Sequence, residues 1–313
     1  MRKRSRARRL DPTGQQARRN KARNELFKRL RIAERSIKRR IRAVETTVTQ
    51  ESSISTNQAR YNYELTDQQQ QELLNANKVD IQQVLEVGAV VVPFNWFYSD
   101  FIEGASRQGV VEEVRDFNSN VRAAVAGGAV LSTITPSEVD ASNVLFSEQY
   151  RDNLSKNNSL VYASVIAASE KLSGQLANRI SAGIRARVSP TKITREISER
   201  FKVGRADAKR ISDTEINTAL NNARLEATRV LADSTGLRSG VVHISALSPT
   251  TRSEHANRHG NAYTVEDQLN WWDSGANRIN CKCSTRTVLI DGNGNVINKN
   301  IQDGFRDEAD FFG

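Results

Sequence analysis

Soft metal ligands are scarce in this chain, which has two cysteines, one methionine and three histidines in 313 residues. Two cysteines in a C-x-C pair, Cys281 and Cys283, cannot form a disulfide framework, and a bridge between them would be strained. A reducing, cytoplasmic origin is expected rather than secretion. Aromatic residues make up only 6% and hydrophobic residues 38%. That argues against one dense sandwich core and for helices with narrow apolar stripes. Long apolar runs are lacking too. The longest, Val87 to Phe94, is broken by Gly88 and Pro93 and falls well short of the ~20 residues that span a bilayer. No apolar stretch follows the charged first residues, so no secretory signal and no membrane partner are expected.

What the chain has is charge, unevenly placed. Residues 1–45 hold 18 Lys and Arg against Asp11, Glu25, Glu34 and Glu45, a balance of +14, while the rest sums to −4. A mildly acidic body with a basic N-terminal arm suggests a polyanionic partner, either nucleic acid or an acidic protein surface. The first residues, with Arg2, Lys3, Arg4, Arg6, Arg8 and Arg9, repel one another and are expected to be disordered unless bound. Arg18, Arg19, Lys21 and Arg23 complete the expected nucleic-acid contacts.

Leu26, Leu30, Ala33, Ile37, Ile41 and Val44 follow a helical spacing, opposite a face carrying Arg29, Arg31, Arg35, Lys38, Arg39 and Arg42. Two readings stay open. The stripe docks on the protein's own body, or Leu26, Leu30, Ile37, Ile41 and Val44 meet a partner subunit while the basic face meets phosphates. Residues 46–78 read as a polar linker followed by a short helix. Pro93 to Phe101 reads as an aromatic core anchor, and Gly127, Gly128 and Pro136 mark turns.

A helix is expected from about Leu160 to Val188, with Ser189-Pro190 ending it and starting the next. The next runs to Gly204, and a third spans about Ala206 to Ala232 with Gly236 as its stop. Beyond lie a strand in G-V-V-H-I-S-A-L, a hairpin at D-G-N-G-N, and a polar tail from about Asn298 that docks or stays loose. The expected fold is mostly α, a helical body with a small α+β C-terminal module. Its segments are a basic arm and amphipathic helix (1–45), the helical body (46–204), the module (205–290), and a hairpin end with tail (291–313).

Ser248 to Cys283 gathers both cysteines and two of the three histidines. His255 and His259, at i and i+4, are one helical turn apart, and with Cys281 and Cys283 they offer a tetrahedral set suited to structural Zn²⁺. The alternative is a capping loop with ordinary histidines and two buried thiols.

The order R-A-D-A-K-R-I-S-D-T-E-I-N-T-A-L-N-N-A-R (Arg205 to Arg224), a strand, T-T-R-S-E-H-A-N-R-H-G (Thr250 to Gly260) and I-N-C-K-C (Ile279 to Cys283) resembles the Mu F-like family of minor head proteins of tailed bacteriophages. Thr214 and Glu215 match the T-E of that family's helix. Arg252, His255 and Gly260 match its second motif, and Asn280 to Cys283 its third. Ser248 stands where an Asp is common, and Arg278 where a His is common. The resemblance implies a minor head protein inside the capsid, associated with the portal and aiding genome packaging or ejection. Thr214, Glu215, Arg252 and Gly260 would then be architecture: either Thr214 bonds back to a backbone carbonyl of its own helix while Glu215 pairs with Arg210 or an Arg224-like neighbour, or Glu215 and Arg252 form a buried pair. Expected partners are the portal protein, other capsid subunits and double-stranded DNA, in the virion and, during assembly, in the host cytoplasm.

Two other classes compete with this reading. A non-sequence-specific nucleic-acid-binding protein fits the arm, but no helix-turn-helix, zinc-finger or RNP signature accompanies it. A zinc-dependent enzyme would need a nucleophile–base set, a Gly-rich phosphate loop, or the deaminase H-x-E and P-C-x-x-C pattern. All are missing, so no catalytic residue is assigned and no enzyme is expected.

Overall fold

The computed structural model describes residues 11–53, 56–86, 96–129 and 139–310. Its first elements are α1 (Gln16–Arg42), the strands β1 (Thr46–Ser53) and β2 (Thr56–Tyr63), and α2 (Asp67–Leu85). A π-helical turn (Tyr98–Ile102) leads into α3 (Glu103–Ala126), followed by α4 (Ala141–Leu145), α5 (Glu148–Arg185) and α6 (Pro190–Thr235). The C-terminal part holds β3 (Ser239–Ile244), α7 (Ser253–Asn257), β4 (Ala262–Tyr263), α8 (Val265–Asp273), β5 (Ser284–Leu289) and α9 (Lys299–Asp310). The fold is mostly α with a small α+β C-terminal part, as expected.

Two compact units arise from non-contiguous stretches. Among the described residues, one takes 21–53, 56–86, 96 and 161–211. The other takes 11–20, 97–129, 139–160 and 212–310.

In the first unit the α1 stripe is internal. Leu26, Leu30, Ala33, Ile37 and Ile41 are at most 1% exposed. Leu26 and Leu30 line one apolar cavity with Leu85 of α2, Val165 and Leu172 of α5 and Ile211 of α6. The stripe therefore forms core and is closed to a partner subunit; Val44 is half-buried. Burying a Leu or Ile side chain stabilises by about 1.5–3 kcal/mol, which explains why α1 docks here.

The expected linker is instead a hairpin with Thr46 opposite Tyr63 and Val48 opposite Tyr61. β-Branched and aromatic residues favour the pleated surface. The Tyr61 N–H donates to Arg187 O (2.9 Å) and the Tyr63 hydroxyl to Val188 O (2.7 Å). Thr66 and Gln69 form a reciprocal capping box, which starts α2 sharply.

The Ser189-Pro190 break appears where expected, the Ser189 hydroxyl accepting from Lys192 N. Gly204 does not end a helix, however. An ideal Cβ there would lie 3.2 Å from Leu172 Cδ2, so this glycine permits close approach of α5 and α6, and α6 continues through it.

In the second unit, one apolar cluster joins Val110, Val114, Phe117 and Val121 of α3 to Ala223, Ala227 and Leu231 of α6 and to Leu289 of β5. Phe97 and Tyr98 are buried, as the aromatic anchor requires; Pro93 to Asn95 lie outside the described residues, as does Pro136. The sheet order is β4-β3-β5, antiparallel throughout. Gly236 (φ +67°) closes α6 as expected. The D-G-N-G-N turn is present, with Asp291 accepting from Asn293 N and Asn295 N and one bridge from Ile290 to Val296. The polar tail forms α9, which docks through Phe305 at 3% exposure; Phe311 and Phe312 lie outside the described residues.

Candidate functional site

β3 and β5 set the site. Their register places His243 opposite Thr285 and Ile244 opposite Ser284, so Cys283, just before β5, falls beside the same end of β3. α7 supplies His255. The entrance of α7 is held by Arg252, whose guanidinium donates to the carbonyls of Ala276 (2.7 Å), Asn277 (3.3 Å) and Ile279 (2.8 Å). Arg252 thereby ties α7 to the turn that carries the cysteines. Glu215, the partner considered for it, stands near Arg278 and favours that residue's charge against burial.

His255 Nδ1 lies 3.4 Å from Cys283 Sγ and 3.5 Å from Cys281 Sγ. One ligand atom each from His243, His255 and Cys283 fall within 4.8 Å of one another. All four side chains are buried. The Trp271 ring stands edge-on to His255 and His243, at 4.7 and 5.2 Å between centroids. Arg258 lies over Trp271 in turn. This wall covers the two histidines.

His259 behaves differently from its spacing. α7 ends at Asn257, so the helical turn that would align His259 with His255 is not completed. Its Nδ1 accepts the Ser245 N–H at 2.9 Å, and its ring meets Phe305 edge-on. His243, 12 residues before His255 in sequence, stands in the cluster instead. No spacing rule signals a histidine on a neighbouring strand.

Protonation follows burial and contact. Burial pushes His243 down to about 3, because the charged imidazolium loses its hydration. The Cys283 thiol donates to the Cys281 sulfur, which holds Cys281 well below and Cys283 well above the ordinary thiol range. The Cys283 N–H also points at Cys281 Sγ (3.4 Å), an approach that favours thiolate. Such a set of two imidazoles and two thiols can ligate a soft divalent cation.

A second feature fixes the cysteine turn. Thr214, Asn217, Asn221, Arg224 and Thr228 follow one face of α6 at spacings of 3, 4, 3 and 4. Thr214 Oγ1 accepts from Asn280 N (3.0 Å), Asn217 donates to Cys281 O (2.7 Å) and Asn221 to Cys283 O (2.9 Å). Arg224 donates to Thr285 O, and Thr228 shares a hydrogen bond with the Thr287 hydroxyl. Alternate residues of the strand thus meet successive turns of the helix. Thr214 acts forward on the turn instead of back on its own helix. The signal was present in sequence as polar residues at core spacing.

Gly260 has φ +73°, and a Cβ there would come within 2.7 Å of Arg306 Cγ. Its N–H donates to His243 O (2.9 Å), bringing the chain back alongside the cluster.

Of the expected nucleic-acid contacts, Arg2, Lys3, Arg4, Arg6, Arg8 and Arg9 lie outside the described residues. Arg19 is 1% exposed and paired with Asp11 (2.9 Å) and Asp213 (3.7 Å), so its charge is internal and closed to phosphate. Arg18 is half-buried and donates to Gln108 (3.0 Å). Lys21 is exposed and Arg23 half-buried. Lys28, Arg31, Arg35, Arg39 and Arg42 are exposed along α1. The last four make no ion pair among the described residues.

The family described as Phage Mu protein F like protein matches over residues 170–286, a span that contains α6 from its first residue, the strand β3 and the whole histidine and cysteine cluster. No curated protein and no solved structure gave a match. No helix among the described residues is long and apolar enough to cross a membrane.

Proposed function

We propose that this chain, a member of the phage Mu protein F like family through residues 170–286, is a structural head protein of a tailed bacteriophage. Its place is the capsid interior beside the portal, where it meets the portal protein and other capsid subunits and contacts packaged double-stranded DNA. It assists packaging or ejection, and during assembly it resides in the host cytoplasm. The family match carries this reading.

The DNA contact rests on charge. Lys28, Arg31, Arg35, Arg39 and Arg42 are spaced 3, 4, 4 and 3, one line along the exposed face of α1, and Arg2 to Arg9 precede them. Basic residues aligned in this way neutralise phosphates and release counterions without reading sequence. The same line supports a second reading, a free-standing non-sequence-specific nucleic-acid-binding protein. We read the chain as non-enzymatic, since a buried four-donor cluster has the closed character of a structural metal site, with no position open to substrate. Zn²⁺ in that cluster would brace the module.

Quantitative mass spectrometry of purified DNA-filled heads, with recovery on tagged portal, tests the assignment. The chain is expected in both; its absence from heads would overturn the head-protein reading. The DNA contact is tested with the Arg31→Gln, Arg35→Gln, Arg39→Gln, Arg42→Gln variant. Its log K against log salt slope is expected to flatten by up to about 3.6, because each phosphate no longer neutralised removes about 0.9. An unchanged slope would remove α1 from the DNA interface.

A further inference from the structure

We infer that His243, His255, Cys281 and Cys283 together form the ligand set for one soft divalent cation of the Zn²⁺ class. This deepens the structural-metal reading above and rests on it.

Geometry supports the assignment first. In a tetrahedral site with sulfur at about 2.3 Å and nitrogen at about 2.0–2.1 Å from the ion, neighbouring S and N ligands stand roughly 3.6 Å apart. His255 Nδ1 already holds both sulfurs near that separation, at 3.4 and 3.5 Å. His243 closes the group with His255 and Cys283 inside 4.8 Å. Cys281 Sγ joins through its 3.5 Å approach to His255 Nδ1, and contraction around an ion would complete four-coordination.

The outer contacts agree. His243 Nδ1 lies 3.2 Å from Gln268 Oε1. An N–H donated there leaves the lone pair on Nε2, the tautomer that a metal-binding imidazole with a hydrogen-bonded second nitrogen adopts. His243 Nε2 is buried and has no hydrogen-bond partner, although buried polar atoms are nearly always satisfied. Gln268 is fully buried as well, and Arg258 also donates to its Oε1 (3.2 Å).

Charge balances too. Two cysteine thiolates would cancel the charge of one divalent ion. The ion would join β3, α7 and the turn before β5, elements contributed by three separate stretches of sequence. His259 has no part in the set, because its Nδ1 accepts from the Ser245 backbone.

Full-length protein, purified under reducing conditions and stripped with a chelator, is titrated with Co²⁺ and then Zn²⁺. One Co²⁺ per chain is expected, with a thiolate-to-metal charge-transfer band and the intense d–d bands of a tetrahedral ion, both vanishing as Zn²⁺ displaces it. His243→Ala and Cys283→Ser are expected to weaken binding by more than about 100-fold, and His259→Ala to leave it unchanged. Because His243→Ala removes a fully buried side chain, Gln268→Leu is the companion variant. It is expected to weaken Co²⁺ binding by about 10–100-fold with an unchanged far-ultraviolet circular dichroism spectrum. A cobalt spectrum abolished in His259→Ala but kept in His243→Ala or Gln268→Leu would overturn the ligand assignment and leave the structural-metal reading standing. Failure of the wild-type chain to take up either ion would overturn both.

Discussion

Replacing Glu113 with Gln is expected to change how stability depends on pH. Glu113 is fully buried on α3. Its Oε1 accepts from the Thr287 N–H (2.7 Å) and hydroxyl (2.5 Å), and Oε2 faces Arg224 at 3.3 Å. Burial pushes the carboxyl up to about 7, against the pull of Arg224. A carboxyl raised in the folded state binds its proton more tightly there than in the unfolded chain. Its contribution is therefore fully present below the unfolded value, 4.5, and is lost as pH rises through about 7. At 1.36 kcal/mol per unit, the loss is about 3 kcal/mol. Gln keeps the shape and an acceptor for Thr287 but does not titrate. Urea denaturation of both proteins at about pH 5 and about pH 8 isolates this residue, since every other group titrates alike in the two. The stability of the Gln variant relative to wild type should rise by about 3 kcal/mol between those conditions. A difference independent of pH would refute the reasoning, and a difference of opposite sign would mean that Arg224 outweighs burial.

Other substitutions test the architecture. Ile37→Ala, at a side chain with no exposure, should cost about 2–5 kcal/mol and speed hydrogen exchange across α1. Exchange unchanged from wild type would mean that the stripe is not core. Thr214→Val should leave the Asn280 N–H unpaired and lower stability by about 1–3 kcal/mol, read by thermal melting. Gly260→Ala combines a left-handed backbone with a collision against α9. It should lower the melting temperature by an amount corresponding to at least about 1 kcal/mol, and an unshifted melt would show that α9 yields freely.

How much of this was legible in sequence depends on range. The spacing of Leu26, Leu30, Ile37 and Ile41 announced a helix, because a 3.6-residue period is a local property. Whether that stripe met a partner or its own chain depended on Leu85, Val165 and Leu172, which lie far away in sequence. Ser189-Pro190 and Gly236 marked helix ends correctly, since capping is decided within a few residues. Gly204 misled because its role is contact with Leu172, not local backbone freedom. Thr46 to Tyr63 read as a linker because polar composition outweighed its β-branched and aromatic content. Three members of the site, His255, Cys281 and Cys283, stood out by rarity. His259 was drawn in by a helical spacing that α7 is too short to honour. His243 was invisible, since strand pairing brings it to Cys283 across 40 residues of chain.

The α6 side chains that hold Asn280, Cys281, Cys283, Thr285 and Thr287 occupy the flank of β5 turned away from β3. A strand margin so occupied offers little to another polypeptide seeking to extend the sheet. A partner would then have to recognise this module through its outer side chains. That arrangement also guards the module against edge-to-edge aggregation.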